Sequence, residues 1–423
     1  MWTGPCADGM IDHGLRADVR TGPLCGVRIV DLTTVVFGPL ASQILADYGA
    51  DVIKVEAPEG DSTRHTGPAA ERGMSALFLG SNRGKRSIVL DLKNEDGRAA
   101  MQSLIGGADV FMHSMRPQKL AAIGLEPASV MAANPRLVYA ALLGFASGGS
   151  YSGRPAYDDI IQGMSGLASL MQRQTGEVRY LPTIAADKTC AQTAAHAILA
   201  ALFARERTGG GALVEIPMFE SMVAFNLVEH FYGQHFDPAL APPGYPRVLT
   251  PWRRPYPTTD GYICMVPYTD LHWKRFFEEV GRPDMALDPK FAGIASRTTH
   301  IRELLEFASG HIANATTAHW IAVCDRLEIP AAPVADLDAL INDRHLNETG
   351  FFTRIEDSGM GSLRFPGVPV SFDGVRPETK MAPRLGEHTR EILLEAGLNS
   401  LAIDALVEAR VARQGVGSKA KTP

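Results

Sequence analysis

The chain has 423 residues, of which 45% are hydrophobic and 21% charged, and its net charge is -6 at pH 7 with a pI near 6.1. This is globular composition, with length enough for more than one domain. The surplus of Lys and Arg that a nucleic-acid or anionic-membrane partner requires is missing, so small-molecule partners are expected.

The N-terminal stretch "MWTGPCADGMIDHG" places Gly, Pro and acids where a secretory signal needs a basic start and an apolar core. Residues 1–23 are therefore expected to be a disordered leader. From there, short β-branched runs alternate with helical patterns: "VRIVDL" (27–32), "DVIKVE" (51–56), "SIVLDL" (87–92), "DVFMHS" (109–114), "LVYAAL" (137–142) and "ALVEIPM" (212–218). One intervening helix, "PLASQILADYG", opens on Pro39 and stops at Gly49. The rhythm predicts an α/β fold with a doubly wound parallel sheet covered on both faces, spanning residues 24–236.

Within that domain, "LPTIAADKTCAQTAAHAILAALFARERTG" carries no charge from Thr189 to Ala204 and reads as a buried helix. Gln192 and His196 interrupt it before it reaches the ~20 apolar residues of a membrane span. Asp187 stands at its mouth. A plain N-cap is the ordinary reason for an acid there. After "FESMVAFNLVEHFYGQHF" the composition turns to Pro and Gly, "DPALAPPGYPRVLTPWRRPYPTTDG", which predicts a linker over 237–260. A smaller α+β domain is expected over 261–345, with "GYICMVPY" as a strand and helices around "WKRFFEEVG", "IRELLEFASGHIA" and "AHWIAVCDRLE". Residues 346–412, with "FPGVPVSFDG" read as a strand and "PRLGEHTREILLEAG" as a helix, are expected to return to the large domain. The polar residues 413–423 are expected to form a disordered tail.

Several common chemistries find no support. "GSNRGKRS" resembles a phosphate loop, but its glycine spacing is one residue short and Arg86 stands where a magnesium-binding hydroxyl belongs. No G-x-G-x-x-G follows the first strand, no G-x-S-x-G is present, and none of the 12 His falls into a zinc-ligand spacing. The five Cys are scattered without a C-x-x-C pair, which suggests neither a disulfide framework nor a metal site and fits a reducing cytoplasm.

What remains is a series of blocks in order: "GVRIVDLTTVVFGPLASQILADYGADVIKVEAPEGDSTR", "LFLGSNRGKRSIVLDLKNEDGR", "VFMHSMRPQKLAAIGL", "ERTGGGALVEIPMFESM" and "PRLGEHTREILLEAG". Together, from Gly26 to Gly397, they resemble the family III coenzyme A transferases, the CaiB/BaiF family, with formyl-CoA transferase-like and mesaconyl-CoA transferase-like members. The resemblance implies a Rossmann-like large domain and a smaller central domain in an interlocked homodimer. It implies an acyl-CoA:carboxylic acid CoA-transferase with coenzyme A as a substrate moiety, no tightly bound cofactor and no metal.

By the same resemblance Asp187, in "AADKTCA", is the nucleophile that forms a mixed anhydride and then an aspartyl-CoA thioester. A carboxylate at a helix N-terminus meets orphan N–H groups and the helix dipole, so Asp187 is expected to be ionised at neutral pH. Val35, Phe37, Leu90, Lys93, Ser114 and Met115 fall where the family's CoA contacts lie, and Arg116 is added beside them; core packing is the ordinary role for Val35, Leu90 and Met115. Ala57 and Ala122 stand where some relatives carry a basic residue. The family's α-methylacyl-CoA racemases pair the Asp with a His at the position of Tyr157; a phenol with a pKa of ~10 is a poor base at neutral pH, which disfavours a racemase. Asp158 matches a carboxylate near the formyl-CoA transferase-like site. Arg253 and Arg254, in "LTPWRRPYPT", replace that subgroup's glycine-rich loop and could fork onto the second carboxylate of a small dicarboxylic acid, succinate or a methyl-branched C4–C5 diacid; a solvated charge pair is the plain alternative. A non-catalytic CoA-binding protein is the reading from another class.

Overall fold

The computed structural model describes residues 21–415, so residues 1–20 of the expected leader and 416–423 of the expected tail lie outside the described residues. In chain order the first elements are β1 (Arg28–Leu32), α1 (Phe37–Asp47), β2 (Asp51–Glu56), α2 (Ala76–Asn82), β3 (Arg86–Leu90), α3 (Glu95–Gly106), β4 (Val110–His113), α4 (Pro117–Ala121), α5 (Pro127–Ala133) and β5 (Val138–Leu143). Then follow α6 (Asp158–Met164), α7 (Leu167–Thr175), α8 (Ala185–Thr208), β6 (Ala212–Pro217) and α9 (Met218–His230). The chain divides into two compact units, of which the first takes residues as far as Met164, then Thr183–Met222, then Leu346 onward.

Six strands of the first unit pair in parallel in the order β3-β2-β1-β4-β5-β6, with Ile29 of β1 between Val52 and Val110. β4 and β5 are buried at every position, as strands covered on both faces must be, whereas the edge strand β6 leaves Leu213 48% exposed. One core joins Val30, Ile53, Ile88, Phe111 and Tyr139 of the sheet to Met101 and Leu104 of α3. α1 and α8 pack on each other and take no part in that core; they cover the opposite face. α8 does so with a stripe of small residues, Ala191, Ala194 and Ala195, which permits close approach.

The second unit comprises Ser165–Pro182 and Val223–His345. It contains α10 (Pro246–Leu249), β7 (Tyr256–Pro257), β8 (Tyr262–Met265), α11 (Asp270–Glu279), α12 (Ile294–Thr299), α13 (Ile301–Ile312), α14 (Thr317–Leu327), β9 (Ala331–Pro333) and α15 (Leu337–Ile341), and α16 (Arg344–Glu348) crosses its end. The sheet β7-β8-β9 is antiparallel and packs on Trp273, Phe276, Phe277, Leu304 and Trp320. Its boundaries differ from the expected 261–345. The supposed linker 237–260 carries α10 and β7 and buries Tyr256 to 3% exposure. Side chains tie this stretch and α9 to residues 165–182: Arg173 Nη1 donates to the Pro243 carbonyl, Gln174 Nε2 to that of Arg253 and Asn226 Nδ2 to that of Ser165, each at 2.9 Å. The prolines stiffen a packed segment instead of a free one.

The returning chain forms the hairpin β10 (Phe352–Asp357) and β11 (Gly361–Pro366), then α17 (Thr389–Glu395), α18 (Ser400–Glu408) and β12 (Ala412–Arg413). Ile392, Ile403 and Leu406 complete the sheet's core, and β12 adds an antiparallel edge beside β3. The strand expected over "FPGVPVSFDG" ends at Pro366, because Gly367 and Pro369 follow and proline donates no ladder bond. The tail expected from 413 is ordered through its described part. Arg413 pairs with Val89, Gln414 Oε1 accepts from Arg390 N, and Gly415 N donates to the Gly386 carbonyl at 2.8 Å. Among the described residues no helix is long and apolar enough to cross a membrane.

Candidate active site

The strand order reverses at β1, whose neighbours β2 and β4 are reached by connections running opposite ways. Such a reversal opens a crevice at the C-terminal ends of the strands. Two turns line it: residues 33–36 after β1 and Ser114–Arg116 after β4. They are joined by the Thr34 N–H, which donates to Ser114 Oγ at 3.2 Å. Val35 sits at φ 72, a conformation costly for a β-branched residue that persists only where the surroundings dictate it.

A buried charge network supplies that dictation. Lys54 Nζ donates to Asp61 Oδ2 at 2.9 Å and to the Thr33 carbonyl at 3.0 Å, and Asp61 Oδ1 accepts from Val35 N at 3.4 Å and Thr63 N at 3.0 Å. Lys85 Nζ binds Asp31 at 3.2 Å and the Pro39 carbonyl and Asn82 Oδ1 at 2.8 Å each. All four charged side chains are fully enclosed. Burial pushes the Asp31 carboxyl up, but Lys85 and Lys54 outweigh it and hold it below the usual carboxylate range. Gly38 is required beside them, because a Cβ there would stand 2.3 Å from Thr33 Cβ.

Asp187 occupies the first turn of α8, 8% exposed. The helix cap, Ile184, has no hydrogen-bonding side chain to offer. Asp158, the first residue of α6, does the capping instead: its Oδ1 accepts from Ala186 N at 2.8 Å and from Asp187 N at 3.1 Å. Gln162, one turn along α6, donates from Nε2 to Asp158 Oδ2 at 2.6 Å and to the Thr183 carbonyl at 3.1 Å. The orphan N–H groups expected to stabilise an Asp187 anion are thus engaged by a second acid. Burial first, and the like charge of Asp158 second, push the Asp187 carboxyl up to about 7. The expectation of full ionisation at neutral pH is corrected accordingly: Asp187 titrates there. Cys190, one turn further on, is an unreactive thiol pushed up to about 12 by burial and by the two acids.

The profile described as CoA-transferase family III matches residues 24–389. The chain belongs to this family. It is 32% identical over 392 residues to the succinate–glutarate CoA-transferase of Agrobacterium fabrum, covering 89% of this chain and 96% of that one. It is 31% identical over 395 residues to the succinyl-CoA:mesaconate CoA-transferase of Haloarcula hispanica, covering 90% and 98%. The probable fatty acyl-CoA transferase Rv3272 of Mycobacterium tuberculosis is 32% identical over 390 residues, covering 88% and 97%. The crystal structure of Rv3272 superposes with a TM-score of 0.76 at 28% identity, covering 88% of this chain and 99% of that one.

As a family III CoA-transferase the protein is an enzyme that uses CoA as a substrate moiety. The candidate CoA residues divide by exposure. Val35, Ser114 and Met115 are half-buried at the crevice, Phe37 is 7% exposed where α1 begins, and Arg116 is exposed as the N-cap of α4. Lys93 is exposed after β3, but Leu90 is 1% exposed within the core, which leaves its side chain unavailable to a ligand. Tyr157 is 66% exposed. Arg253 and Arg254 belong to the second unit, both exposed, with the Arg254 guanidinium 5.0 Å over the Trp252 ring. A cavity of about 880 Å³ beside Arg354, Arg376 and Lys380 includes none of these residues. Among the described residues no group of three or more His, Cys, Asp or Glu could hold a metal ion.

Gln162 and the Asp31–Lys54–Asp61–Lys85 network escaped the sequence reading. The signal for the network was present: Asp31 and Lys54 are charges set inside the apolar runs "RIVDL" and "DVIKVE".

Proposed function

We propose that the protein transfers CoA from an acyl-CoA to a small carboxylic acid with Asp187 as covalent nucleophile. The observation that carries this reading is a buried carboxyl in the first turn of α8, held beside Asp158 and titrating near neutrality. In its ionised form Asp187 attacks the thioester carbonyl, the C–S bond breaks, and CoA leaves as thiolate, giving a mixed anhydride. The thiolate then attacks the aspartyl carbonyl and expels the donor acid as carboxylate. The acceptor carboxylate opens the resulting aspartyl-CoA thioester, and the thiolate takes the new acyl group and frees Asp187. Each step exchanges one activated acyl bond for another, so no external energy source is needed. A pKa near 7 gives a nucleophile populated at neutral pH and a carboxylate good enough to leave. Asp187→Ala should reduce transfer at least roughly 10³-fold, as loss of a nucleophile does. Hydroxylamine or borohydride added during turnover should modify Asp187 in the wild type; near-normal transfer by the Ala variant would sink the mechanism.

Val35, Phe37, Lys93, Ser114, Met115 and Arg116 are proposed to hold the CoA moiety, with Leu90 acting only through its backbone. Small dicarboxylic acids are the proposed substrates. The activities that name the succinate–glutarate and succinyl-CoA:mesaconate relatives support this, and a guanidinium of Arg253 or Arg254 would match the distal carboxylate. Arg253→Met and Arg254→Met should then lower kcat/KM for dicarboxylic acids and spare monocarboxylic ones. Equal losses on both classes would remove the arginines from substrate recognition. An interlocked homodimer in the cytoplasm completes the proposal; sedimentation at a monomer mass would refute the dimer.

A further inference from the structure

We infer that Gln162 is a positioning residue for the transfer reaction: by holding Asp158 as a carboxylate on the mouth of α8, it decides which of the two acids there carries the proton. The inference rests on Asp187 as the nucleophile and deepens that reading. Gln162 lies four residues after Asp158, so both side chains fall on one face of α6, and that face is buried. Gln162 is 1% exposed, and a carboxamide enclosed this far is costly unless its hydrogen bonds are made. Both N–H bonds of Nε2 are used, one on Asp158 Oδ2 at 2.6 Å and one on the Thr183 carbonyl at 3.1 Å. The same carbonyl accepts from Ala185 N at 2.7 Å, where α8 begins. One amide therefore braces α6 against the entry to α8.

The chemistry of these partners locates the proton. A backbone carbonyl only accepts, so the NH2 end of Gln162 must face Thr183, and its second N–H then meets Asp158 Oδ2. Asp158 Oδ1 meets two further donors, Ala186 N at 2.8 Å and Asp187 N at 3.1 Å. Donors thus face both oxygens of Asp158, the arrangement of an ionised carboxylate, which only accepts. Burial and that neighbouring charge push the Asp187 carboxyl up to about 7, so the proton of the two acids rests on the nucleophile. Other ionisable groups border the pair. On the elements packed around α8, Asp47 of α1 is bound to Arg83, Tyr139 of β5 donates to the Leu125 carbonyl, and Glu215 and Glu220 of β6 and α9 accept from Ser147 and Ala146. Beside the pair, Tyr157 and Asp159 are exposed, Lys188 Nζ donates to Thr183 Oγ1 at 2.7 Å, and burial keeps the Cys190 thiol neutral. The charge acting on Asp187 is that of Asp158.

Two substitutions should move the proton in opposite directions. Gln162→Met keeps the length of the side chain but removes the donor to Asp158 Oδ2, so part of the shared proton passes to Asp158 and Asp187 ionises at a lower pH. Gln162→Glu keeps the shape and adds a third acid, which holds Asp187 protonated to a higher pH. At pH 5.5 the wild type should retain about one-thirtieth of its plateau kcat/KM for acyl-CoA, as a group titrating at about 7 dictates; Gln162→Met should retain at least about three times that share and Gln162→Glu at most about a third of it. Both plateaus should fall by roughly tenfold as Asp158 loses its brace. Profiles that level off at the wild-type pH in both variants, with only the plateau or the melting temperature lowered, would reduce Gln162 to a structural part and overturn the assignment. Infrared titration without substrate reads the proton itself: the wild-type spectrum near pH 6 minus that of Asp187→Asn should contain the band of a protonated carboxyl. Its absence would overturn the proton assignment and leave the nucleophile untouched. Its presence in a protein whose Asp187→Ala variant transfers CoA at a near-normal rate would refute the transferase mechanism and keep the proton assignment.

Discussion

The crevice at β1 and the mouth of α8 both enclose carboxyl groups, and they treat them in opposite ways. At the crevice each buried acid meets a lysine: Asp61 with Lys54 at 2.9 Å and Asp31 with Lys85 at 3.2 Å. The charges are matched, and the acids are held below the usual range. That network fixes a loop, including the strained Val35. At α8 two acids face one helix end and, among the described residues, no cation is bonded to either, so Asp187 rises to about 7. The contrast teaches that burial alone does not set reactivity. Paired burial makes a scaffold, whereas like-charge burial makes a group that changes protonation in the working range.

The comparison breaks most visibly at its paired end. Lys54→Met leaves Asp61 enclosed without its cation, and loss of one member of a buried pair costs about 3–5 kcal/mol. A large drop in denaturation midpoint is expected, and Lys54→Met/Asp61→Leu should regain much of it. A midpoint equal to wild type would mean that the network does not carry the crevice.

Activity reads the other end. With the Asp187 carboxylate as the proposed nucleophile, kcat/KM for acyl-CoA should rise with pH at unit slope and level off near pH 7. Asp158→Asn keeps an acceptor for Ala186 N and Asp187 N but removes the like charge. Its profile should level off at a lower pH, with burial still holding Asp187 above the ordinary value. An unshifted profile would deny Asp158 any electrostatic part.

Stability gives the smallest effect and a definite sign. Asp187 ionises near 3.8 unfolded and about 7 folded, so its contribution is present below the unfolded value and is lost as pH rises through the folded one. Asp187→Asn should therefore raise the melting temperature more at pH 8 than at pH 5. A larger gain at pH 5 would show that the folded carboxyl is not raised.

Local pattern and blocks of motif determined much of this protein. Strands buried on both faces read as unbroken apolar runs, as in "DVFMHS" and "LVYAAL", so the six parallel strands were legible at their places. The charge-free Ala-rich run made α8 legible, and the blocks shared with family III carried the family and pointed to Asp187 as the candidate nucleophile. What lies between residues far apart in the chain was not legible. Nothing in "AYDDIIQ" says that Asp158 caps a helix beginning at Ala185, because a cap from another element leaves no local spacing. The protonation of Asp187 follows from that contact and from enclosure, both tertiary. Proline-rich composition likewise says that a segment is stiff, but whether it is free or packed depends on partners such as Arg173 and Gln174. Residue type and spacing set which elements form and which groups can react; only the packing of distant segments sets the field in which they do so.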